Sequence, residues 1–162
     1  MTETPPRLPP LDPASLTPEQ RVVYDDIVSG PRGGIAGPFE PWLRSPELAG
    51  LAQKLGVYCR YNTCLEPALS ELAILVIATH HKAQIEWFAH APIAIAAGVP
   101  ADAVETIRQD LPFVLADARM ALVAEVVGAL VKTSRLPDPL YARAIDGLGE
   151  RGLVDLLGVM GY

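Results

Sequence analysis

Apolar residues recur along most of this chain at spacings of three and four, and no segment between turn signals alternates with period two. The pattern predicts helices throughout and no half-buried strand. Thr17 and Gln20 frame a capping box with Pro18 at the first helical position, opening PEQRVVYDDIVSG, which stops at Gly30. A second helix is expected from a Ser45 cap, with Pro46 in its first turn, to about Tyr61. Residues 68–81 hold helix formers and no breaker, with Leu69, Leu72, Ala73, Val76 and Ile77 on one face. AQIEWFAHAPIAIAAG follows and ends at Gly98, a natural residue for a helix C-terminus. Within it Pro92 cannot donate to the carbonyl of Phe88 and predicts a bend. After a short helix, AVETIRQD, residues 114–135 read as a long, almost wholly buried helix, and 138–148 and 153–159 as two shorter ones.

The segments between these helices change the picture in two places. Pro5, Pro6, Pro9, Pro10 and Pro13 make residues 1–16 a proline-rich, extended arm, leaving 17–162 as a single helical domain. GPRGGIAGPFEPW, residues 30–42, is a long connection that carries Ile35, Phe39 and Trp42, and a loop with aromatics on board suits a pocket lid.

Composition narrows the class. Half of the 162 residues are hydrophobic, and the mean hydropathy is +0.24. One small core does not readily hide so much apolar surface, so the surplus points to subunit contacts. The most apolar stretch, LAILVIAT, falls well short of the ~20 residues a bilayer crossing needs. MTETPPRLPP has neither the basic start nor the apolar centre of a signal peptide, and two cysteines make no disulfide framework, so a cytoplasmic protein is expected. A net charge of −6 argues against a nucleic-acid partner.

Glu86 and His90, four apart, share a helix face. They read either as a surface pair worth about 0.3 kcal/mol or as a carboxylate orienting an imidazole for proton transfer. The apolar neighbours Ile85, Trp87, Phe88, Ala89, Ala91 and Ile93 leave little polar surface for such a pair, which favours the second reading. Glu71 is the one charge in ELAILVIATH; taken alone it reads as a first-turn glutamate favoured by the helix dipole. His80 and His81 are adjacent and point apart, so they read as helix-end residues and no metal site is expected. Cys59 and Cys64, five apart, suit neither a disulfide nor a redox pair and read as buried free thiols. Arg44, Arg60 and the tyrosines near them are either snorkelling surface residues or pocket groups that meet a carboxylate.

SELAILVIATHHKAQIEWFAHAPIAIAAGV resembles the core of the carboxymuconolactone decarboxylase and alkylhydroperoxidase-D superfamily, and GPFEPWLRSPELAGLAQKLGVY resembles the segment before it. The likeness spans about residues 33–110, and ERGLVDLLGVMGY also looks similar to those proteins. It implies an all-α, alkylhydroperoxidase-D-like helical bundle that is an obligate homo-oligomer, a trimer or hexamer. Many members continue past the position of Gly161-Tyr162 with a further apolar helix, where this sequence ends. In the peroxidase branch a glutamate is followed twelve residues later by CxxC and then by a histidine. Here Glu71 and His90 match the ends of that pattern, while Ala83 and Glu86 stand at the two sulfur positions. The resemblance therefore points to the decarboxylase-like branch, in which a glutamate also precedes the histidine by four.

What this implies is a lyase or isomerase, needing neither cofactor nor metal, that acts on a small acid or lactone substrate in aromatic-compound catabolism. His90 would donate the proton, Glu86 would orient it, and Glu71 would serve as relay or second base. Trp42, Phe39 and Trp87 would wall the pocket, and Arg44 or Arg60 would anchor an acid group. Two alternatives stay open: a non-catalytic oligomeric binding protein of the same fold, and a residual peroxidase or redox protein. No nucleic-acid or membrane partner is expected.

Overall fold

The most apolar and most fully buried helix lies at the centre of its unit. In the computed structural model, which describes residues 7–162, that helix is α4 (Pro67–His80). Before it come α1 (Pro18–Ser29), a single turn α2 (Phe39–Trp42) and α3 (Pro46–Val57). After it come α5 (Gln84–Ala97), α6 (Ala101–Arg108), α7 (Ala118–Thr133) and α8 (Asp138–Gly161). No strand occurs among the described residues. The chain falls into two compact units, one ending at Tyr58 and one running from Cys59 to Tyr162.

In the N-terminal unit the capping box forms as the sequence predicts: Thr17 accepts from the amide of Gln20, whose side chain returns the bond to the Thr17 amide. α1 and α3 pack together, burying Ile27 and Ala49, and Gln53 donates to Asp26 at 2.5 Å. The described part of the proline arm is held by side chains of its own unit. Leu11 N–H donates to Glu40, Arg44 donates to the Pro9 carbonyl, and Arg21 to that of Pro13. Pro5 and Pro6 lie outside the described residues.

Several expectations need correction here. The 30–42 connection is not loop throughout, because Phe39–Trp42 close a helical turn. Ser45 sits at the N-cap position of α3, but its side chain makes no capping bond. The helical backbone of this segment does reach the expected region of Tyr61, as α3 to Val57 followed directly by a π-helical turn, Tyr58–Asn62.

The C-terminal unit is built round α4, which touches α5, α6, α7 and α8. Leu69 and Ala73 pack with Val123, Val126 and Val127 of α7 and with Leu153 and Leu156 of α8. On its other side Leu72 and Leu75 pack with Ala94, Val99, Val104 and Ile107. Each of these fully buried leucines contributes roughly 2 kcal/mol of apolar transfer. The one-faced helix expected from Leu69, Leu72, Ala73, Val76 and Ile77 is thus a central helix, in which Leu75 and Ala78 are buried and Val76 and Ile77 only partly so.

α7 begins four residues later than its apolar pattern suggests. Asp117 caps it by accepting from the amide of Met120 at 2.8 Å, and 111–115 remain a loop. It is also not wholly buried: Glu125 and Lys132 face solvent. The two short C-terminal helices join into α8 across a break at Gly149, whose φ of 73° suits only glycine without strain. Gly98 ends α5 in the left-handed conformation, as expected, and α5 runs through Pro92 as helix.

Candidate functional site

Glu71 lies in the second turn of α4, beyond the first-turn positions where the helix dipole favours a carboxylate, and it is 5% exposed. The dipole reading of Glu71 therefore fails. A buried carboxylate needs a partner, and α5 supplies it. His90 turns inward beside Ala94 on the face of α5 that packs on α4, and it too is buried. Its Nδ1 lies 2.7 Å from Glu71 Oε2, a short hydrogen bond in which a carboxylate can only accept.

The other ring nitrogen meets a different environment. Nε2 lies 3.5 Å from Glu86 Oε2, and the Glu86 side chain is about half exposed. Glu86 occupies the first turn of α5, where the helix dipole favours an anion. The three residues thus run in a line from the interior to solvent: Glu71, the imidazole, Glu86.

A carboxylate on Nδ1 fixes the tautomer with hydrogen on that nitrogen. The neutral ring then presents a lone pair at Nε2, and the protonated ring presents an N–H there. Either state is supported by the same buried partner, so the group can take up and return a proton on its exposed side without reorganising.

The remaining expected site residues are distributed. Trp87 is partly buried and packs on the α4–α6 core cluster. Arg60 stands over the ring of Tyr61, 5.4 Å from its centroid. Phe39, Trp42 and Arg44 belong to the N-terminal unit. There Phe39 and Trp42 meet edge to face at 5.6 Å, and Arg32 stands over Phe39. Arg44 is engaged with backbone carbonyls of Pro9 and Glu40.

Both cysteines are free; Cys59 is buried as expected, but Cys64 is exposed, because it lies in the turn ahead of α4 rather than in a helix. Burial and the nearby Asp155 carboxylate push the Cys59 thiol above its usual range. The Cys64 thiol is raised by desolvation and then by Asp155. Asp155 is itself 5% exposed, and it accepts from the Cys64 amide at 2.7 Å. Sequence reasoning passes over this residue, although a lone carboxylate in LVDLLGVM carries the same signal that drew attention to Glu71. His80 and His81 end α4, but their rings do not point apart as expected: they meet edge to face at 4.8 Å. No cluster of three or more metal-binding side chains occurs among the described residues. No helix there is long and apolar enough to cross a membrane.

Compared with protein-family models and with curated proteins, the sequence matches none. Among solved structures it is similar to an uncharacterized peroxidase-related protein from Silicibacter sp. TM1040, with a TM-score of 0.76 at 14% identity, over 99% of this chain and 87% of that one. At that identity the likeness is one of fold, and the fold is the all-α, alkylhydroperoxidase-D-like type that the resemblance implies.

Proposed function

We propose that Glu71, His90 and Glu86 form the acid–base site of a lyase or isomerase of the decarboxylase-like kind, acting on a small carboxylated or lactone substrate. The observation that carries this reading is the buried 2.7 Å contact at His90 Nδ1, paired with an Nε2 that faces a half-exposed carboxylate. The geometry favours roles reversed from those the spacing suggests: Glu71 orients the ring, and Glu86 exchanges protons on the solvent side.

In decarboxylation the bond from the ring carbon to the substrate carboxylate breaks, and its electron pair moves into a conjugated carbonyl to give a dienolate and CO2. His90 Nε2–H then protonates carbon, and the ring regains its proton from solvent by way of Glu86. An apolar surround favours loss of the charged carboxylate, and the held imidazole needs no rearrangement as charge develops.

The likeness to a peroxidase-related protein raises a redox reading. Desolvation and Asp155 shift both thiols away from the reactive thiolate, and neither lies in the 83–86 segment, so the lyase reading is favoured. The reading includes self-association. On α5, Ile85 and Phe88 are 71% and 85% exposed beside Glu86, and a second copy laid there would exclude water from the cluster.

Proton NMR in D2O, on a panel of muconolactones, their carboxylated forms and β-keto or enol lactones, tests the proposal. Deuterium entering carbon with wild-type protein, and lost by about 10²-fold or more in His90→Ala and His90→Gln of unchanged circular dichroism, is expected. Full turnover in His90→Gln would sink it. Binding of panel acids without turnover would favour the binding-protein alternative.

A further inference from the structure

We infer that a cavity between α4, α7 and the loop after α6 is a binding site for a small, mostly apolar carboxylic acid, separate from the Glu71–His90 cluster. It has a volume of about 510 Å³, and Val76, Ile107, Phe113, Leu115, Ala124 and Gly128 supply its apolar lining. The cavity opens to solvent on one side, and its volume falls within the range of small-molecule sites. None of Glu71, Glu86 or His90 lines it. The inference does not rest on the proposed lyase function.

Two features of the lining are unexplained by the fold alone. Gly128 lies in the interior of α7, where glycine weakens a helix relative to alanine, yet a Cβ placed there would meet nothing within 4 Å. No neighbouring helix demands a glycine, and the space it leaves belongs to the cavity. Thr79 also lines the cavity, and its Oγ1 is buried without a hydrogen-bond partner among the described residues. A helical threonine can back-bond to the preceding turn, and this one does not.

The charge at the cavity selects the class of ligand. Arg143 holds Glu125 through two bonds, at 3.0 and 2.7 Å, which removes that carboxylate from the balance. Lys132 and Asp110 remain as one cation and one anion, and the lysine, on its long flexible stem, is the group that can reach a ligand in the cavity. With an apolar lining and a lysine at the cavity, an anion at the end of a hydrocarbon body fits best.

Calorimetric titration of the full chain with octanoate, octan-1-ol and octylamine tests this. Octanoate is expected to bind at least about tenfold more tightly than the alcohol or the amine. Gly128→Phe, which fills the cavity and meets no clash at Cβ, should abolish binding while leaving helicity intact. Lys132→Gln should erase the preference for the acid, and Glu86→Gln should leave octanoate affinity unchanged. No octanoate binding, affinity indifferent to Gly128→Phe, equal binding of acid and alcohol, or loss of binding in Glu86→Gln would each overturn the inference. The last result would move the ligand to the Glu71–His90 cluster.

Discussion

Glu71 and Asp155 are buried to the same degree in the same unit, and the fold satisfies them in different ways. Asp155 accepts a backbone amide, that of Cys64, and has Arg151 one turn before it at 3.9 Å. Its carboxylate ties α8 to the turn that leads into α4, and the nearby thiols are driven toward their protonated form. Glu71 instead accepts from a titratable ring whose second nitrogen faces outward. A buried charge bonded to backbone holds shape; one bonded to an imidazole that reaches toward solvent can also pass a proton.

Exchanging the two carboxylates for neutral groups should separate these roles most strongly. Glu71→Gln keeps the outline of the side chain but removes the charge that supports protonated His90. On a substrate found by the NMR panel, turnover should fall by about 10²-fold. Asp155→Ala leaves the Cys64 amide without its acceptor and should cost about 1–3 kcal/mol of stability, or roughly 2–4 °C of melting temperature per kcal/mol for a chain of this size. Below its melting range Asp155→Ala should turn over at close to the wild-type rate. Similar losses of turnover in both variants would erase the distinction.

The sequence made parts of this comparison legible and hid others for identifiable reasons. Glu86 and His90 are four apart on one helix, so periodicity alone puts them on one face. Glu71 and His90 are 19 residues apart on different helices, and no local pattern states that distance; only the resemblance brought them together. Thr17 and Gln20 announced the start of α1 because capping is local chemistry. The start of α7 was hidden because the loop ahead of it is as apolar as the helix, and Asp117 is its one marker. The cavity beside Gly128 arises from the packing of three segments and has no sequence signature.

A smaller effect sharpens the Asp155 side. Because desolvation and then Asp155 raise the exposed Cys64 thiol, iodoacetamide should label it more slowly at pH 8 than it labels a free cysteine. Asp155→Asn should speed labelling several-fold in the folded protein. The sign for stability follows from the same shifts. The native thiols keep their protons to higher pH than those of the unfolded chain. Their contribution is therefore complete below the ordinary thiol range of about 8.5 and is lost as pH rises through the raised native values. Melting temperatures measured from pH 7 to 10 should fall less in Cys59→Ser than in wild type. Labelling of Cys64 as fast as free cysteine would mean that Asp155 acts on the backbone amide alone.

The smallest effect bears on the outer carboxylate. Glu86 is half exposed and stands 3.5 Å from Nε2, longer than a good hydrogen bond, so side-chain entropy and solvent screening offset most of its attraction to the ring. Glu86→Gln should therefore change stability by no more than about 0.5 kcal/mol, which is on the order of 1–2 °C in melting temperature. Raising the salt concentration should shrink even that difference, because an exposed pair is screened. Glu71→Gln should shift melting by more, since it leaves an uncompensated ring in the interior whenever His90 is protonated. If Glu86→Gln proved the more destabilising of the two, the outer carboxylate would be the one that holds the ring. The line from interior to solvent would then have to be read in the opposite direction.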